Sequence, residues 1–239
     1  MSRAYLTTDD GPTKQTPKLM DYLTEHGITP IFFFTGTQIE LNHDEAIDAI
    51  KRGAIVGNHS YSHPNFDKIS LEEGIVEITK TEVILNKLYK EAGVEREYKL
   101  FRFPYGAQGG ENKQKLQEFL CFLGFDRIDD REVTSPYYIR GGHKEAIDVY
   151  WTFDFEEYRM HKKDGFGLHD ILAKIHDKRK GEQYGLLDAD TLHIVLIHDH
   201  METEELLPGY YTLLLNYVMK NGVTFVQPEY IRHRDYECK

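Results

Sequence analysis

Short, uniformly apolar stretches alternate along the chain with longer stretches in which apolar and polar positions mix. Residues 30–34, 54–57 and 192–197 are almost entirely apolar, which is typical of strands buried on both faces of a parallel sheet. Between such runs, apolar residues recur at helical spacing, and Ser70 with Glu73 has the pattern of a capping box at a helix start. Strands that alternate with helices predict an α/β fold with a parallel sheet.

The number of apolar runs indicates the architecture. They predict strands at 4–6, 30–36, 54–58, 100–103, 149–153, 192–197 and 223–226. About seven parallel strands fit a distorted, partly open (β/α)7-type barrel better than an open doubly wound sheet. No linker-like segment divides the 239 residues, so we expect a single domain over 1–239. The irregular segment 126–148 is expected to be a long surface loop.

The charge and the cysteine content exclude several classes of partner and site. With a net charge of −11, the protein is a poor partner for nucleic acid and anionic membranes, whereas a metal cation or an uncharged substrate is compatible. The two cysteines, Cys121 and Cys238, indicate neither a disulfide framework nor a Cys-based zinc site, and Cys121 is expected to be a buried thiol. Nothing in the pattern indicates an oligomeric state.

The location of the protein is predicted from what its N-terminus and its apolar runs lack. All apolar runs are too short to cross a membrane, so no transmembrane segment is predicted. The N-terminus enters the first strand without the basic and apolar regions of a signal peptide. The chain as it stands is therefore predicted to be cytoplasmic. If a leader has been removed, an extracellular or cell-wall-associated protein is expected instead.

Clusters of polar side chains follow several predicted strands, at the point where each strand ends. The clusters are Asp9 with Asp10, His59 with His63, Arg102, and His198–His200. In a parallel barrel the carboxyl ends of the strands lie on one face, where barrel enzymes place their active sites. We therefore expect these side chains to converge in one site.

His59 and His63 have the spacing of a metal-binding pair. One helical turn would bring both imidazoles to the same side, although an H-x-x-x-H pair also arises by chance or from packing. A nearby carboxylate would complete a two-His, one-carboxylate set, which is the pattern of catalytic zinc or non-haem iron. Without cysteine ligands, a catalytic site is favoured over a structural one.

Arg102 and His198 each have two interpretations. Arg102 is either a surface residue in a salt bridge or a guanidinium that holds a carboxylate in place. His198 is either a hydrogen-bonded histidine of the core or a general acid beside the metal and the carboxylate.

Five segments in chain order carry a recognisable set of motifs. They are Thr7–Gly11 (TTDDG), His59–His63 (HSYSH), Arg102–Tyr105 (RFPY), Asp154–Tyr158 (DFEEY) and Leu196–His198 (LIH). These segments resemble the motifs T-F-D-D-G, H-[ST]-x-x-H, R-x-P-Y, D-x-x-D-W and L-x-H of the NodB-homology polysaccharide deacetylases, carbohydrate esterase family 4. The resemblance covers almost the whole chain and implies the NodB-homology fold, a distorted and partly open (β/α)7-type barrel.

The resemblance implies a metal-dependent hydrolase that removes an N-acetyl group from an amino sugar of a poly- or oligosaccharide and releases acetate. Asp10, His59 and His63 are then expected to bind a divalent metal, with zinc expected and cobalt, nickel or manganese as alternatives. Asp9 is expected to take a proton from water, and Arg102 to keep Asp9 ionised and oriented.

Two further roles follow from the resemblance. The backbone N–H of Tyr105 is expected to hold the oxyanion, and His198 to protonate the leaving amine. In the family a carboxylate of the fourth motif tunes this histidine. Asp154 and Glu157 are the candidates for that tuning here, although Glu157 stands where the family has Asp.

The expected substrate groove departs from the family pattern. Tyr158 replaces the tryptophan of the fourth motif, and Thr8 replaces the phenylalanine of the first. We expect Tyr158, Tyr105 and Trp151 to contact the substrate. These changes affect the identity of the substrate more than the type of reaction.

Two alternatives compete with a polysaccharide deacetylase. The same scaffold could hydrolyse a small N-acyl compound or a cyclic amide, which the missing signal peptide and the altered fourth motif favour. A catalytically inactive carbohydrate-binding protein is the other alternative, which the full set of motif residues disfavours.

Overall fold

The structure is a computed structural model that describes residues 2–144, 146–162, 164–177, 185–187 and 191–237. The strands are β1 Ser2–Asp9, β2 Ile31–Phe34, β3 Ile55–Asn58, β4 Arg127–Ile128, β5 Phe153–Asp154, β6 Leu192–His198, β7 Val223–Phe225 and β8 Tyr230–Ile231.

Helices connect the strands and cover the sheet. They are α1 Thr16–Glu25, α2 Gly36–Leu41, α3 His43–Lys51, α4 Leu71–Ala92, α5 Lys113–Phe122, α6 Pro136–Arg140, α7 Leu168–Ile175, α8 Met201–Leu206 and α9 Tyr210–Lys220. Short 3-10 turns lie at Phe66–Lys68, Pro104–Gly106, Gly110–Asn112, Glu157–His161 and His233–Asp235. The capping box predicted at Ser70 and Glu73 is confirmed at the start of α4.

The main sheet is parallel, with the strand order β3-β2-β1-β6-β5, and β7 pairs with the first residues of β1. In the register of the central pair, Asp9 at the end of β1 lies beside His198 at the end of β6. The strands therefore bring two of the predicted polar clusters to the same edge.

Between β3 and β5, two irregular segments, 100–102 and 149–152, continue the barrel in the described part of the chain. Phe101 makes an isolated parallel bridge with Asn58, and the N–H of Val149 donates to the carbonyl of Phe101 over 2.8 Å. The strands predicted at 100–103 and 149–153 are thus reduced to this bridge and to the two residues of β5. The expected distorted, partly open barrel is confirmed, because the hydrogen-bonded strands do not close a full circle within the described residues.

Alternate residues of β1 face two different parts of the core. Leu6 packs in the cluster between the sheet and the surrounding helices, whereas Tyr5 belongs to the cluster inside the barrel. By the same alternation, Asp9 lies on the inner face and Thr8 on the outer face with Leu6. Thr8 is fully buried there, so the residue that departs from the first motif does not line the site.

Several local predictions are wrong. The helix expected from about 204 to 220 is divided into α8 and α9, because Pro208 ends the first helix and Gly209 takes a left-handed φ of 71°. The segment 126–148 is not a surface loop. It contains β4 and α6, and it buries apolar side chains such as that of Tyr138.

Cys121 is buried in α5, as expected, but it is disulfide-bonded rather than a free thiol. Cys238 lies outside the described residues. In the part of the chain that the structure describes, every helix is too short or too polar to span a lipid bilayer.

Candidate functional site

Asp10, His59 and His63 form a compact group at the carboxyl ends of β1 and β3. Their ligand atoms all lie within 4.8 Å of one another. Oδ1 of Asp10 is 3.0 Å from Nε2 of His63 and 3.5 Å from Nε2 of His59. The two imidazoles meet through an irregular turn rather than the helical turn considered from their spacing, and left-handed φ angles of 72° at Asp10 and 60° at His63 direct the chain there.

Hydrogen bonding fixes the tautomer of His59. Its Nδ1 lies 2.8 Å from the backbone carbonyl of Arg102, which can only accept, so Nδ1 carries the proton. Nε2 then presents its lone pair toward Asp10. A histidine whose other nitrogen donates to a carbonyl is the usual arrangement of a metal ligand.

The chemistry of Asp10 also suits a cation. Burial would raise the pKa of this carboxyl, but its contacts with His200, His59 and His63 outweigh burial and hold the pKa well below its usual range. Oδ1 is buried and has no hydrogen-bond partner among the described residues. An ionised carboxylate beside two imidazoles fits a divalent cation that takes nitrogen and oxygen ligands.

Asp9 faces a different partner from its neighbour. Its Oδ1 accepts a hydrogen bond of 2.8 Å from Nη1 of Arg102, and both side chains are buried. The guanidinium is itself fixed by bonds of 2.8 Å to Thr7 Oγ1 and to the carbonyl of Val149. Of the two interpretations of Arg102, the structure therefore supports the one in which it holds a carboxylate.

His198 lies against both candidate tuning carboxylates. Oε1 of Glu157 is 3.1 Å from Nδ1 of the ring, and Oδ1 of Asp154 is 4.0 Å from the same nitrogen. Glu157 also accepts a hydrogen bond from the backbone N–H of His198. The side chain of Glu157 is fully buried, so the longer replacement for Asp still reaches the histidine.

The protonation of this group follows from its burial and charges. Burial by itself would lower the pKa of His198, but the carboxylates of Glu157 and Asp154 outweigh it and raise the pKa to about 10. Burial raises the pKa of Asp154 to about 6, despite the opposing charge of His198. His198 is consequently a protonated imidazolium at neutral pH, with Nε2 left for another partner.

A cavity of about 720 Å³ connects these groups. The residues that line it include Asp9, Asp10, His59, His63, Tyr105, Trp151, Asp154, Tyr158, His161, His198, Asp199 and His200. All predicted site residues except Arg102 and Glu157 line the cavity. Arg102 contacts Asp9, and Glu157 contacts His198, from outside the cavity lining.

The three aromatic residues predicted to contact the substrate lie at different depths. Tyr105 is 65% exposed, and its ring centroid is 4.5 Å from that of His63. The ring of Tyr158 packs edge-on against His198, with centroids 4.7 Å apart. Trp151 is almost buried, with its ring 5.7 Å from the guanidinium carbon of Arg102, so it forms the floor of the cavity rather than a rim.

Two residues of the site have no role in the sequence-based prediction. Nε2 of His200 lies 2.7 Å from Oδ2 of Asp10. Asp199 is fully buried and accepts hydrogen bonds from the hydroxyls of Thr13 and Thr16, while burial raises the pKa of its carboxyl. The only sequence signal for either residue is its position next to His198 at the end of β6.

Residues 2–120 match the family described as polysaccharide deacetylase. The chain is 41% identical over 102 residues to a peptidoglycan-N-acetylglucosamine deacetylase of Bacillus cereus, covering 42% of this chain and 35% of the relative. It is 32% identical over 190 residues to chitin deacetylase 1 of Cryptococcus neoformans, covering 74% of this chain and 38% of the relative. The chain thus spans little more than a third of these curated relatives.

Solved structures confirm the fold. The chitin deacetylase of Colletotrichum lindemuthianum superimposes with a TM-score of 0.63 at 21% sequence identity, covering 94% of this chain and 84% of that one. A likeness at this level of identity concerns the arrangement of strands and helices, and it supports the partly open barrel described above.

Proposed function

The chain belongs to the polysaccharide deacetylase family through residues 2–120, and from this membership we propose that it is a metal-dependent N-acetylsugar deacetylase. Water would cleave the amide of an N-acetylated amino sugar in a poly- or oligosaccharide, which gives acetate and a free amine. The observation that carries the proposal is one cavity lined by an Asp-His-His group, an arginine-held carboxylate and a carboxylate-paired histidine. Because these residues come from Asp9 to His198, the whole chain, 1–239, is proposed as one catalytic domain.

Asp10, His59 and His63 would hold the divalent cation. When bound, such a cation polarises an amide carbonyl and makes a water molecule easier to deprotonate. Zinc is the proposed cation because it accepts imidazole and carboxylate ligands and leaves a position open in catalytic sites, while cobalt, nickel and manganese are the alternatives.

Asp9 is the proposed base. Arg102 donates a hydrogen bond of 2.8 Å to one oxygen and so fixes the carboxylate, and the other oxygen, Oδ2, remains for a water molecule in the cavity. Oδ2 lies 3.6 Å from Nε2 of His59, next to the cation site. A carboxylate held in this way accepts the proton that water loses as it attacks the carbonyl carbon.

The backbone of Tyr105 is the proposed stabiliser of the oxyanion. Tyr105 is the second residue of the 3-10 turn Pro104–Gly106, and the first N–H groups of a helical turn lack partners within the turn. Tyr105 lines the cavity, and its left-handed φ of 59° turns the backbone sharply at this residue. An N–H that points at the developing negative charge favours the transition state.

His198 is the proposed acid. Burial opposes its charge, but Glu157 and Asp154 raise its pKa to about 10, so the ring holds a proton at neutral pH. Nδ1 is engaged by Glu157, which leaves Nε2 to protonate the nitrogen of the leaving amine. Without that proton the C–N bond would have to break with an amide anion as the leaving group.

Release of acetate from acetylated chitooligosaccharides, compared with release from a panel of small N-acyl compounds and cyclic amides, tests the proposed substrate. The proposal expects turnover of the oligosaccharides, with Tyr105 and Tyr158 as aromatic surfaces for sugar rings. Turnover confined to the small compounds would replace it with the second candidate, a small-amide hydrolase. Oligosaccharide binding without any turnover would identify an inactive binding protein. The cytoplasmic location of the chain stays a prediction, which cell fractionation would check.

A further inference from the structure

The two oxygens of the Asp10 carboxylate have different partners. Oδ1 faces the imidazoles of His63 and His59 at 3.0 and 3.5 Å, whereas Oδ2 lies 2.7 Å from Nε2 of His200. We propose that His200 is a positioning residue that holds the Asp10 carboxylate in the orientation needed to bind the cation through Oδ1. This inference rests on the proposed metal-dependent function, because it concerns the same cation site.

The direction of the hydrogen bond follows from the chemistry of the two groups. An ionised carboxylate only accepts hydrogen bonds, so Nε2 of His200 carries the proton that it donates to Oδ2. Nδ1 of His200 is buried and has no hydrogen-bond partner among the described residues, so no contact at Nδ1 favours the other tautomer. A hydrogen bond to a charged acceptor is about twice as strong as one between neutral groups.

Asp10 needs an external restraint because of its place in the chain. β1 ends at Asp9, and Asp10 follows it with a left-handed φ of 72°. Its side chain is therefore outside the regular sheet, where neighbouring strands would have restricted its direction. Rotation about the bond to the carboxylate would move Oδ1 away from His59 and His63 unless Oδ2 is held.

The backbone that carries His200 is itself fixed to the end of β1. The N–H of Asp199 donates to the carbonyl of Asp9 over 3.0 Å. The carboxylate of Asp199 accepts from the hydroxyl of Thr13 over 2.7 Å, which joins this segment to the turn after Asp10. Nε2 of Gln15 donates to the carbonyl of His200 over 3.2 Å. These hydrogen bonds fix the backbone of His200 relative to the end of β1 and to the turn that follows it.

His200 is not itself part of the ligand group. The atoms that lie within 4.8 Å of one another belong to Asp10, His59 and His63, and the Asp10 carboxylate separates His200 from the two imidazoles. Residues that orient a ligand by a hydrogen bond to its second polar atom change metal affinity by about 10- to 100-fold when they are removed.

The test measures metal affinity in the absence of substrate. Apo protein is titrated with Zn²⁺ in competition with a chromophoric chelator, for wild type, His200→Ala and His200→Gln. The expected affinity of His200→Ala is about 10- to 100-fold lower. His200→Gln should recover most of this loss, because the amide of glutamine can donate to Oδ2 from a similar distance along the side chain. Thermal unfolding of each apo protein checks that the variants fold.

His161→Ala is a matched control, because it removes an imidazole from the same cavity and keeps the contact between His200 and Asp10. His161 lines the cavity with its ring centroid 6.2 Å from that of His200, and its contacts in the described residues do not include Asp10. His161→Ala should therefore bind Zn²⁺ as tightly as wild type.

The possible results separate this inference from the proposed function. If wild type binds no metal, the proposed function fails. If wild type binds Zn²⁺ and folded His200→Ala binds it equally tightly, the positioning role is wrong while the function stands. If both His200 variants lose affinity equally and change the visible absorption spectrum of the Co²⁺ form, His200 is a ligand and the positioning role is again wrong.

Discussion

Oε1 of Glu157 lies 3.1 Å from Nδ1 of His198, in a position where the side chain of Glu157 is fully buried. Glu157 stands where the fourth motif of the polysaccharide deacetylases has an aspartate. A carboxylate therefore still faces the imidazole of His198. Glu157 is the first residue of the 3-10 turn that follows β5 along the chain, and from this position its longer side chain reaches the histidine.

Replacing Glu157 by Gln should change the pH dependence of turnover. Although burial lowers the pKa of His198, the carboxylates raise it to about 10, so the imidazole of wild type, the proposed acid, stays protonated below that pH. Without the charge of Glu157, less remains to offset the effect of burial, so the pKa of His198 falls. The alkaline limb of the kcat profile should therefore move to lower pH by about one to three units.

Glu156→Gln is the matched control for this change. The carboxylate of Glu156 pairs with Arg159 at 2.8 Å and Lys174 at 2.7 Å, so its loss should leave the alkaline limb in place. An unchanged limb in Glu157→Gln would show that this carboxylate does not control the protonation of His198, the proposed acid.

Removal of Arg102 should cost stability as well as activity. In Arg102→Met the buried carboxylate of Asp9 loses its charged partner, which typically costs about 3–5 kcal/mol in the free energy of unfolding. Urea denaturation of the apo protein measures this loss. The double variant Arg102→Met with Asp9→Asn should be more stable than Arg102→Met alone, because no unpaired charge remains.

A partly exposed arginine provides the comparison. Arg159 pairs with Glu156 and Asp164 near the surface, where such pairs contribute about 0–1 kcal/mol, so Arg159→Met should be nearly neutral. Equal stability of Arg102→Met and wild type would mean that the Asp9–Arg102 pair is not a buried ion pair in solution.

His198→Ala should distinguish substrates by their leaving groups. Loss of a general acid typically lowers kcat by about 10²- to 10⁴-fold, and an amine leaving group depends on protonation more than an alcohol does. Hydrolysis of an N-acetyl substrate should therefore fall much further than hydrolysis of an acetate ester by the same variant. Equal losses on both substrates would argue that His198 positions the acetyl group rather than protonating the leaving group.

The convergence of the site was predictable from the sequence because it depends on strand ends. In a parallel sheet, a residue that directly follows an apolar run lies at the carboxyl edge, and this places Asp10, His59 and His198 together. The pairing of β1 with β6 and its register, which set Asp9 beside His198, were not predicted and come from the structure. The motif resemblance then separated the expected tasks of Asp9 and Asp10, which spacing alone left open.

The contact of His200 with Asp10 was not predictable in the same way. It depends on a left-handed φ at Asp10 and on hydrogen bonds from residues 13–16, none of which leaves a periodic signal. The burial of side chains in segment 126–148 was not predicted for a related reason. Ile128, Val133 and Tyr138 are buried, but their spacing matches neither a helix nor a strand.

The proposed division of tasks between the adjacent Asp9 and Asp10 is tested by measuring bound metal and acetate release together. Wild type and Asp9→Asn should both bind metal stoichiometrically by elemental analysis, because Asp10, His59 and His63 are intact, whereas His59→Ala should not. Wild type should release acetate from acetylated chitooligosaccharides, and Asp9→Asn should do so about 10²- to 10⁴-fold more slowly. Full activity of Asp9→Asn, or a metal-loaded wild type that releases no acetate from any N-acetyl substrate, would contradict the proposed mechanism.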